Sequence, residues 1–207
     1  MPDINDYKKT YKDLYSPKQA PAIIAVPNMK FIVIEGKGDP NAEGFAFATS
    51  ALYSFSYAVK MSYKSSHIPE GYYDYVVFPL EGEWDLDDKS KAVTDKSNYI
   101  YRIMIRQPEF LTQELFERFL SETKKKKPNE YLNLAKFEEF EEGLCCQMLH
   151  MGSYDEEPAS FEMMDSFCNE NGYRRYFKTH REIYLSDPRK TDASKLKTIL
   201  RYKVEVV

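Results

Sequence analysis

The segment Thr-His-Arg-Glu-Ile-Tyr-Leu-Ser-Asp-Pro contains the residue with the clearest chemical potential in this chain, Glu182. Read as a strand, its alternate residues face opposite sides, so His180, Glu182 and Tyr184 share one face and Ile183 and Leu185 the other. If the aliphatic face packs beneath helices, Glu182 faces a ligand cleft. A carboxylate among aromatic rings can pair with a cationic ligand, or act as a general base where partial burial raises its pKa. The pattern leaves open a solvated glutamate on an exposed sheet face.

Aromatic residues are the other candidates for ligand contact, since the chain has 17 Tyr, 13 Phe and one Trp. Trp84, in an acidic segment predicted as a turn, can stack on a planar ligand, and a tyrosine phenol can protonate a leaving oxygen. The alternative is that most rings simply fill the core and that Trp84 is structural. His150 either faces the cleft or is a satisfied core residue. We assign catalysis to Glu182 and Tyr101, with Tyr53 and Tyr154 as other phenol candidates, and ligand binding to Glu182, Trp84, Tyr53, Tyr57, Tyr75, Tyr101, His150 and Phe177.

Other catalytic and cofactor chemistries find no support in the motifs. No two of the three histidines have metal-ligand spacing, and Cys145, Cys146 and Cys168 match no zinc pattern. The glycine-containing loop at 36–41 lacks the sequence of a phosphate-binding loop, and no nucleophile-elbow serine motif occurs. We therefore predict no metal and no cofactor.

The predicted elements form a repeated order around these residues. Hydrophobic periodicity and turn signals predict a strand, a helix and two strands, a connecting helix, and then the same strand–helix–strand–strand order again. This indicates an α+β fold with antiparallel strands, helices on one face and a ligand cleft where the halves meet. We treat 1–207 as one domain, with an N-terminal arm at 1–27, a first half at 28–128 and a second half at 129–207. The predicted ranges are a short helix at 7–15, strands at 29–35, 72–80, 99–106, 144–151, 180–185 and 195–206, helices at 43–63 and 108–127 and from 158, and a turn at 81–85.

The composition limits the class of protein and its partners. The 207 residues carry 29 basic and 33 acidic side chains, a net charge of −4, so the basic surface of a nucleic-acid binder is absent. With 43% hydrophobic residues the chain can bury a core. The longest uncharged stretch, 44–59, is too short to cross a bilayer, and no signal peptide is recognisable. We expect a cytoplasmic protein with a small-molecule ligand and neither membrane nor nucleic acid as partner.

A protein partner is possible but unsupported by the sequence. It would need an exposed acidic or apolar patch, and the acidic run at 138–142 is the candidate for one. We interpret that run as a solvated segment.

Several short motifs, in order and at their spacings, resemble those of one known family. They are Tyr7-Lys8-Lys9 with Tyr11-Lys12-Asp13-Leu14-Tyr15, Val26-Pro27 with Met29-Lys30-Phe31, Gly36-Lys37-Gly38-Asp39-Pro40-Asn41, Leu52-Tyr53-Ser54, Pro79-Leu80-Glu81-Gly82, Ile105-Arg106-Gln107-Pro108, Glu142-Gly143, His150-Met151-Gly152-Ser153-Tyr154 and Glu182-Ile183-Tyr184-Leu185-Ser186-Asp187-Pro188-Arg189. Over nearly its whole length the chain resembles the GyrI-like small-molecule-binding family, in its stand-alone branch without a DNA-binding domain.

The resemblance implies tandem strand–helix–strand–strand units and a ligand cleft between them. In related drug-sensing domains an acidic residue in the cleft contacts cationic aromatic drugs, and Glu182 matches that position. Some stand-alone members are hydrolases that open the cyclopropane of DNA-alkylating natural products, a detoxification in which the glutamate orients water. Trp84 and the tyrosines would then clamp a flat aromatic ligand. The family's namesake inhibits a topoisomerase, which is the basis for considering a protein partner.

Two positions depart from the family pattern. Arg181 replaces the second histidine of a His-His-Glu triplet, and the strand alternation places it on the face away from Glu182. The run Glu83-Trp84-Asp85 has one aromatic residue where the family often has two. We therefore favour binding of hydrophobic, planar or cationic molecules, with hydrolysis by Glu182 as the alternative, and the enzyme assignment stays open.

Overall fold

The computed structural model of the chain describes residues 4–92, 95–177 and 179–207. They form two compact units: the first consists of residues 4–6 and Met29–Phe140, and the second of Tyr7–Asn28 and Glu141–Val207. The helices are α1 (Tyr7–Thr10), α2 (Lys12–Tyr15), α3 (Glu43–Lys60), α4 (Gln113–Lys126) and α5 (Glu157–Glu170). The strands are β1 (Ala22–Lys37), β2 (Leu80–Leu86), β3 (Tyr99–Arg106), β4 (Lys136–Met151), β5 (Tyr173–Arg175), β6 (Arg181–Tyr184) and β7 (Lys197–Val206).

The first unit has β3 at the centre of an antiparallel sheet. One edge of β3 pairs with β1, from Phe31 opposite Arg106 to Lys37 opposite Ile100, and the other pairs with β2 along its full length. Helix α3 packs on β3 through an apolar face in which Ala48, Leu52 and Phe55 are fully buried. These residues recur at the helical spacing of three and four, which places them on one face of the helix.

The second unit is built around β7, with its strands and helix in the chain order β4, α5, β5, β6 and β7. Strand β7 pairs antiparallel with β4 on one edge, and with β6 and β5 on the other. Its core joins β4, α5 and β7 through Cys146, Met148, Met164, Cys168, Leu200, Tyr202 and Val204. The predicted α+β class with antiparallel strands and helices packed on them is therefore confirmed.

Two predicted boundaries are wrong around β2. Residues 72–79 form no strand apart from an isolated bridge between Tyr75 and Asn5, and β2 occupies 80–86, where we predicted a turn. Every residue of β2 has a partner on β3, with Trp84 opposite Tyr101. Pairing along a neighbouring strand therefore outweighs the acidic local composition that suggested a turn.

The acidic run at 138–142 was also misinterpreted, because it belongs to β4 and is not simply a solvated segment. Glu138 pairs with Arg102 at 2.5 Å. Glu142 is 9% exposed and pairs with the buried Arg181 at 3.3 Å and Arg201 at 3.2 Å. Buried charges require such partners, and the partners are distant in sequence.

Three helical predictions need smaller corrections. The predicted helix at 7–15 is split into α1 and α2 at Tyr11, whose backbone is not helical. Helix α3 ends at Lys60 and is followed by a 3₁₀ turn, Met61–Lys64. Helix α4 begins five residues later than predicted, since Thr112 caps it by accepting from the backbone N–H of Leu115. Within the part of the chain that is described, no helix combines the length and apolarity needed to cross a bilayer.

Candidate functional site

Strand β6 positions the carboxylate that the sequence singles out. Glu182 is 13% exposed at its side chain, with its two oxygens held by neighbours two residues away on either side. Oε1 lies 3.0 Å from Nε2 of His180, and Oε2 accepts a hydrogen bond from the Tyr184 hydroxyl at 2.8 Å. Alternate residues of a strand share a face, so the predicted grouping of His180, Glu182 and Tyr184 is confirmed.

The residues on the opposite face of β6 anchor the strand in the core. Ile183 is fully buried, and Arg181 is 2% exposed and paired with Glu142. The prediction that Arg181 points away from Glu182 is therefore confirmed. This buried ion pair ties β6 to β4, and β6 in turn fixes the direction of the Glu182 side chain.

A turn and the first residues of α5 complete the surroundings of Glu182 within the second unit. The ring of Tyr154 meets that of Tyr184 edge-on with centroids 6.0 Å apart, and Phe161 meets the His180 ring at 4.6 Å. A capping box, in which Ser153 and Glu156 hydrogen-bond reciprocally, sets the turn that precedes α5. These rings pack against Tyr184 and His180, the two side chains that contact the Glu182 carboxylate.

Glu157, the first residue of α5, is a second carboxyl group in this cluster. It is 6% exposed, and its Oε1 is buried without a hydrogen-bond partner in the described structure. One carboxyl oxygen of Glu157, one of Glu182 and a ring nitrogen of His180 lie within 4.8 Å of one another. Two carboxyl groups at this separation in a largely buried place disfavour simultaneous ionisation.

Burial raises the pKa of Glu157 to about 9, and the negative charges of Glu182 and Asp155 add to this effect. The N-terminus of α5 acts in the other direction, since a helix dipole favours an anion by up to about 2 kcal/mol in a partly buried geometry. That is about 1.5 pKa units, because one unit corresponds to about 1.4 kcal/mol. The effect of burial exceeds it, so the protonated form of Glu157 is favoured.

Tyr154 lies at the exposed side of the cluster and is a poor proton donor. Its pKa is raised to about 12 by burial of the hydroxyl and by the charges of Glu182, Glu157 and Asp187. A phenol with a raised pKa gives up its proton less readily than an ordinary tyrosine. Of Glu157 and Tyr154, Glu157 is therefore the better acid.

The same cluster is the group of described residues that comes closest to a metal-ligand arrangement. Nε2 of His180 is directed at Glu182, so these two side chains face each other. Burial of Glu157 favours its neutral form, which is not a metal ligand. The expectation of a site without metal stays a prediction.

In the first unit, Trp84 and Tyr101 lie together as a cross-strand pair, with ring centroids 5.8 Å apart. Phe45 of α3 packs on both, at 5.5 Å from Trp84 and 5.2 Å from Tyr101. Tyr101 is 5% exposed, whereas Trp84 and Phe45 are half-buried. Gly36 makes room for this packing, because a Cβ atom there would overlap the Tyr101 ring. Burial also raises the pKa of Tyr101.

The remaining predicted tyrosines lie in two other places of the first unit. Tyr53 and Tyr57 are neighbours on α3, with centroids 6.5 Å apart, and Tyr57 is exposed. Tyr75 packs among Tyr73, Phe78 and Phe110. Its hydroxyl is buried without a hydrogen-bond partner in the described structure, and burial raises its pKa.

His150 and Phe177, both in the second unit, are in contrasting environments. His150 is 4% exposed, and its ring nitrogens are taken by Ser160 and by the carbonyl of Ser153, both at 2.9 Å. This placement matches the alternative in which His150 is a core residue whose ring nitrogens are both hydrogen-bonded. Phe177 is 54% exposed and packs edge-on against Tyr176 at 4.3 Å.

Sequence reasoning missed Glu157, and it did not select His180 and Tyr184 as site residues. The strand alternation carried the signal for the latter two, since it placed both beside Glu182. For Glu157 the sequence carried no such signal, because an acidic residue in the first turn of a helix is ordinarily explained by capping and the helix dipole. A groove of about 440 Å³ beside α5, lined in part by Met163 and Phe167, contains none of these groups.

The comparisons with known proteins agree with this fold and with a small molecule as the ligand. The family described as the GyrI-like small molecule binding domain matches residues 19–204. A crystal structure of an uncharacterized conserved protein from Listeria innocua is 40% identical, with 97% of this chain and 100% of that chain covered and a TM-score of 0.90.

Two further Listeria innocua structures are named as hydrolases. One is 39% identical with a TM-score of 0.89, covering 97% of this chain, and the other is 38% identical with a TM-score of 0.91, covering 98%; each is covered over 100% of its own chain. Among curated proteins the comparison found no match.

Proposed function

We propose a function for this chain, which belongs to the GyrI-like family of small-molecule-binding proteins. The protein binds hydrophobic planar cations, and Glu182 supplies the negative charge that pairs with them. The observation that carries this proposal is the Glu182 carboxylate, oriented by His180 and Tyr184 and bordered by aromatic rings. A cation that displaces water from such a carboxylate gains binding free energy from the negative charge and from contact with the aromatic rings.

The aromatic residues that the sequence assigns to ligand binding remain proposed contacts for the planar part of a ligand. Trp84 and Phe45 offer a partly exposed aromatic surface, with Tyr101 buried behind it. Tyr53, Tyr57, Tyr75 and Phe177 remain proposed contacts. His150 is left out of the proposed site because both of its ring nitrogens already have partners.

Calorimetric titration with ethidium, a planar aromatic cation, tests this proposal against titration with neutral phenanthridine. We expect ethidium to bind at least about tenfold more tightly, because only it carries a charge for Glu182. Equal affinity for the two compounds would contradict a charge-selective site.

Hydrolysis is the second candidate function, and two observations favour it. Two relatives at 38–39% identity are named as hydrolases. The Glu182–Glu157 pair also combines a hydrogen-bonded carboxylate with a carboxyl group that retains its proton. Proposed substrates are the DNA-alkylating natural products whose strained cyclopropane reacts with nucleophiles, and Glu182 would orient or activate the water.

Turnover is tested with a spirocyclopropyl cyclohexadienone, the electrophilic unit of such compounds. Mass spectrometry should detect the water-added phenol faster with the wild-type protein than with Glu182→Gln. Formation of this product at the same rate with both proteins would argue against hydrolysis at Glu182.

A further inference from the structure

The two carboxyl groups beside each other on α5 and β6 have opposite hydrogen-bonding environments. Glu182 faces two potential donors, His180 and Tyr184. Glu157 has a buried Oε1 with no hydrogen-bond partner in the described part of the chain. One carboxyl oxygen of Glu157 nevertheless lies within 4.8 Å of a carboxyl oxygen of Glu182. An unpartnered buried carboxyl oxygen is costly, and more so when charged.

Several charged and titratable side chains lie around Glu157. From the turn before α5 come Asp155 and Tyr154, from β6 comes Glu182, and His180 directly precedes that strand. The two carboxylates in this set oppose a further negative charge on Glu157. Ionisation of Glu157 would place a second negative charge beside Glu182. The proton therefore stays on Glu157, whose buried Oε1 has no hydrogen-bond donor in the described structure.

We propose that Glu157 is a further catalytic residue of this site, which donates its proton to a bound molecule while Glu182 accepts a proton from the attacking water. This inference rests on the hydrolase candidate of the proposed function. It assigns to a carboxyl group the role of proton donor that the sequence assigned to the phenol of Tyr101. Tyr154, one of the two phenols at this cluster, has a raised pKa and is a weaker acid than Glu157.

The step is balanced without a cofactor. The water oxygen forms a bond to a methylene carbon of the spirocyclopropane, and the bond from that carbon to the spiro centre breaks. The released electron pair converts the dienone into a phenol, whose oxygen takes the proton from Glu157. Glu182 takes one proton from the water, and transfer of that proton to the ionised Glu157 restores the pair. Nothing is oxidised or reduced.

Infrared spectroscopy of the full chain tests the proton assignment without any ligand. At neutral pH we expect a carbonyl band of a protonated carboxyl group, which fades as the pH passes about 9. Glu157→Gln should remove this band, and the exposed α5 variant Glu162→Gln should retain it. Absence of the band from the wild type, or its survival in Glu157→Gln, would overturn the proposal.

Turnover of the spirocyclopropyl cyclohexadienone tests the catalytic role. Loss of a positioned acid should lower kcat by about 10²–10⁴-fold in Glu157→Gln, with ethidium affinity within a few-fold of wild type. Unchanged kcat in Glu157→Gln overturns the role of proton donor. If the wild type itself produces no water-added product, the hydrolase function fails and the catalytic role of Glu157 fails with it, whereas the infrared result still decides where the proton resides.

Discussion

The hydroxyl of Tyr184 donates a hydrogen bond to Oε2 of Glu182, two residues earlier on the same strand, at 2.8 Å. Residues two apart on a strand project from one face, so the sequence itself places this donor beside its acceptor. Because the donor comes from the same strand, the carboxylate is oriented before a ligand arrives. Such preorganisation reduces the ordering cost of binding.

Replacement of this donor should weaken the proposed binding site. Tyr184→Phe removes a hydrogen bond to a charged group, an interaction of about 1.5–3 kcal/mol, while leaving the ring that packs on Tyr154. We expect the calorimetric affinity for ethidium to fall by about ten- to hundredfold. Tyr176→Phe alters an exposed ring in the same unit and serves as the control. Equal ethidium affinity in wild type and Tyr184→Phe would refute the orienting role.

Trp84 should contribute stacking to ligand affinity. A well-placed aromatic pair contributes about 0.5–1.5 kcal/mol beyond its buried area, so Trp84→Leu should lower the affinity for ethidium roughly three- to tenfold. Phe47→Leu changes a 52% exposed ring on α3 and is the matched control. If Trp84→Leu and Phe47→Leu bind ethidium equally well, Trp84 is not a contact. Calorimetry is required because Trp84 is the chain's one tryptophan and its loss removes the fluorescence signal.

Glu142 should be important for folding stability. Glu142→Gln leaves the buried guanidinium groups of Arg181 and Arg201 without their carboxylate, and breaking a buried ion pair on one side costs about 3–5 kcal/mol. Urea denaturation should show this loss. Glu141→Gln, at the exposed neighbouring position, should change stability by less than about 0.5 kcal/mol. Similar unfolding midpoints for the two variants would contradict the structural role of Glu142.

The raised pKa of Glu157 predicts how stability changes with pH. Its pKa is about 9 in the folded protein against an ordinary value of 4.5, so the folded state binds this proton more tightly than the unfolded state. The protonated carboxyl group therefore contributes stability below about pH 4.5, and that contribution is lost as the pH rises towards 9. The slope from this group is at most about 1.4 kcal/mol per pH unit.

Glu157→Gln supplies a neutral side chain of the same shape and removes this dependence. Urea denaturation at several pH values should show the variant gaining stability relative to wild type as the pH increases. A constant difference between the two proteins across this range would mean that Glu157 is ionised throughout.

Local periodicity was sufficient where an element's own residues determine it. Strand β3 has the predicted bounds, and the alternation that groups Glu182 with its neighbours holds in the structure. Local periodicity was insufficient where a partner distant in sequence determines whether a strand forms. Strand β2 exists because β3 pairs with it, and the acidic part of β4 exists because arginines far along the chain neutralise it. Glu157 looked like an ordinary helix-capping acid, since only tertiary packing buries it.

The most direct test of the account compares the wild type with Glu182→Gln for charge selectivity in calorimetric titrations with ethidium and phenanthridine. Glutamine keeps the shape and removes the charge, so we predict that the variant loses at least about tenfold affinity for ethidium and none for phenanthridine. Glu141→Gln controls for the change in net charge. A Glu182→Gln protein that still prefers ethidium to the wild-type extent would contradict the claim that Glu182 is the charged centre of the site.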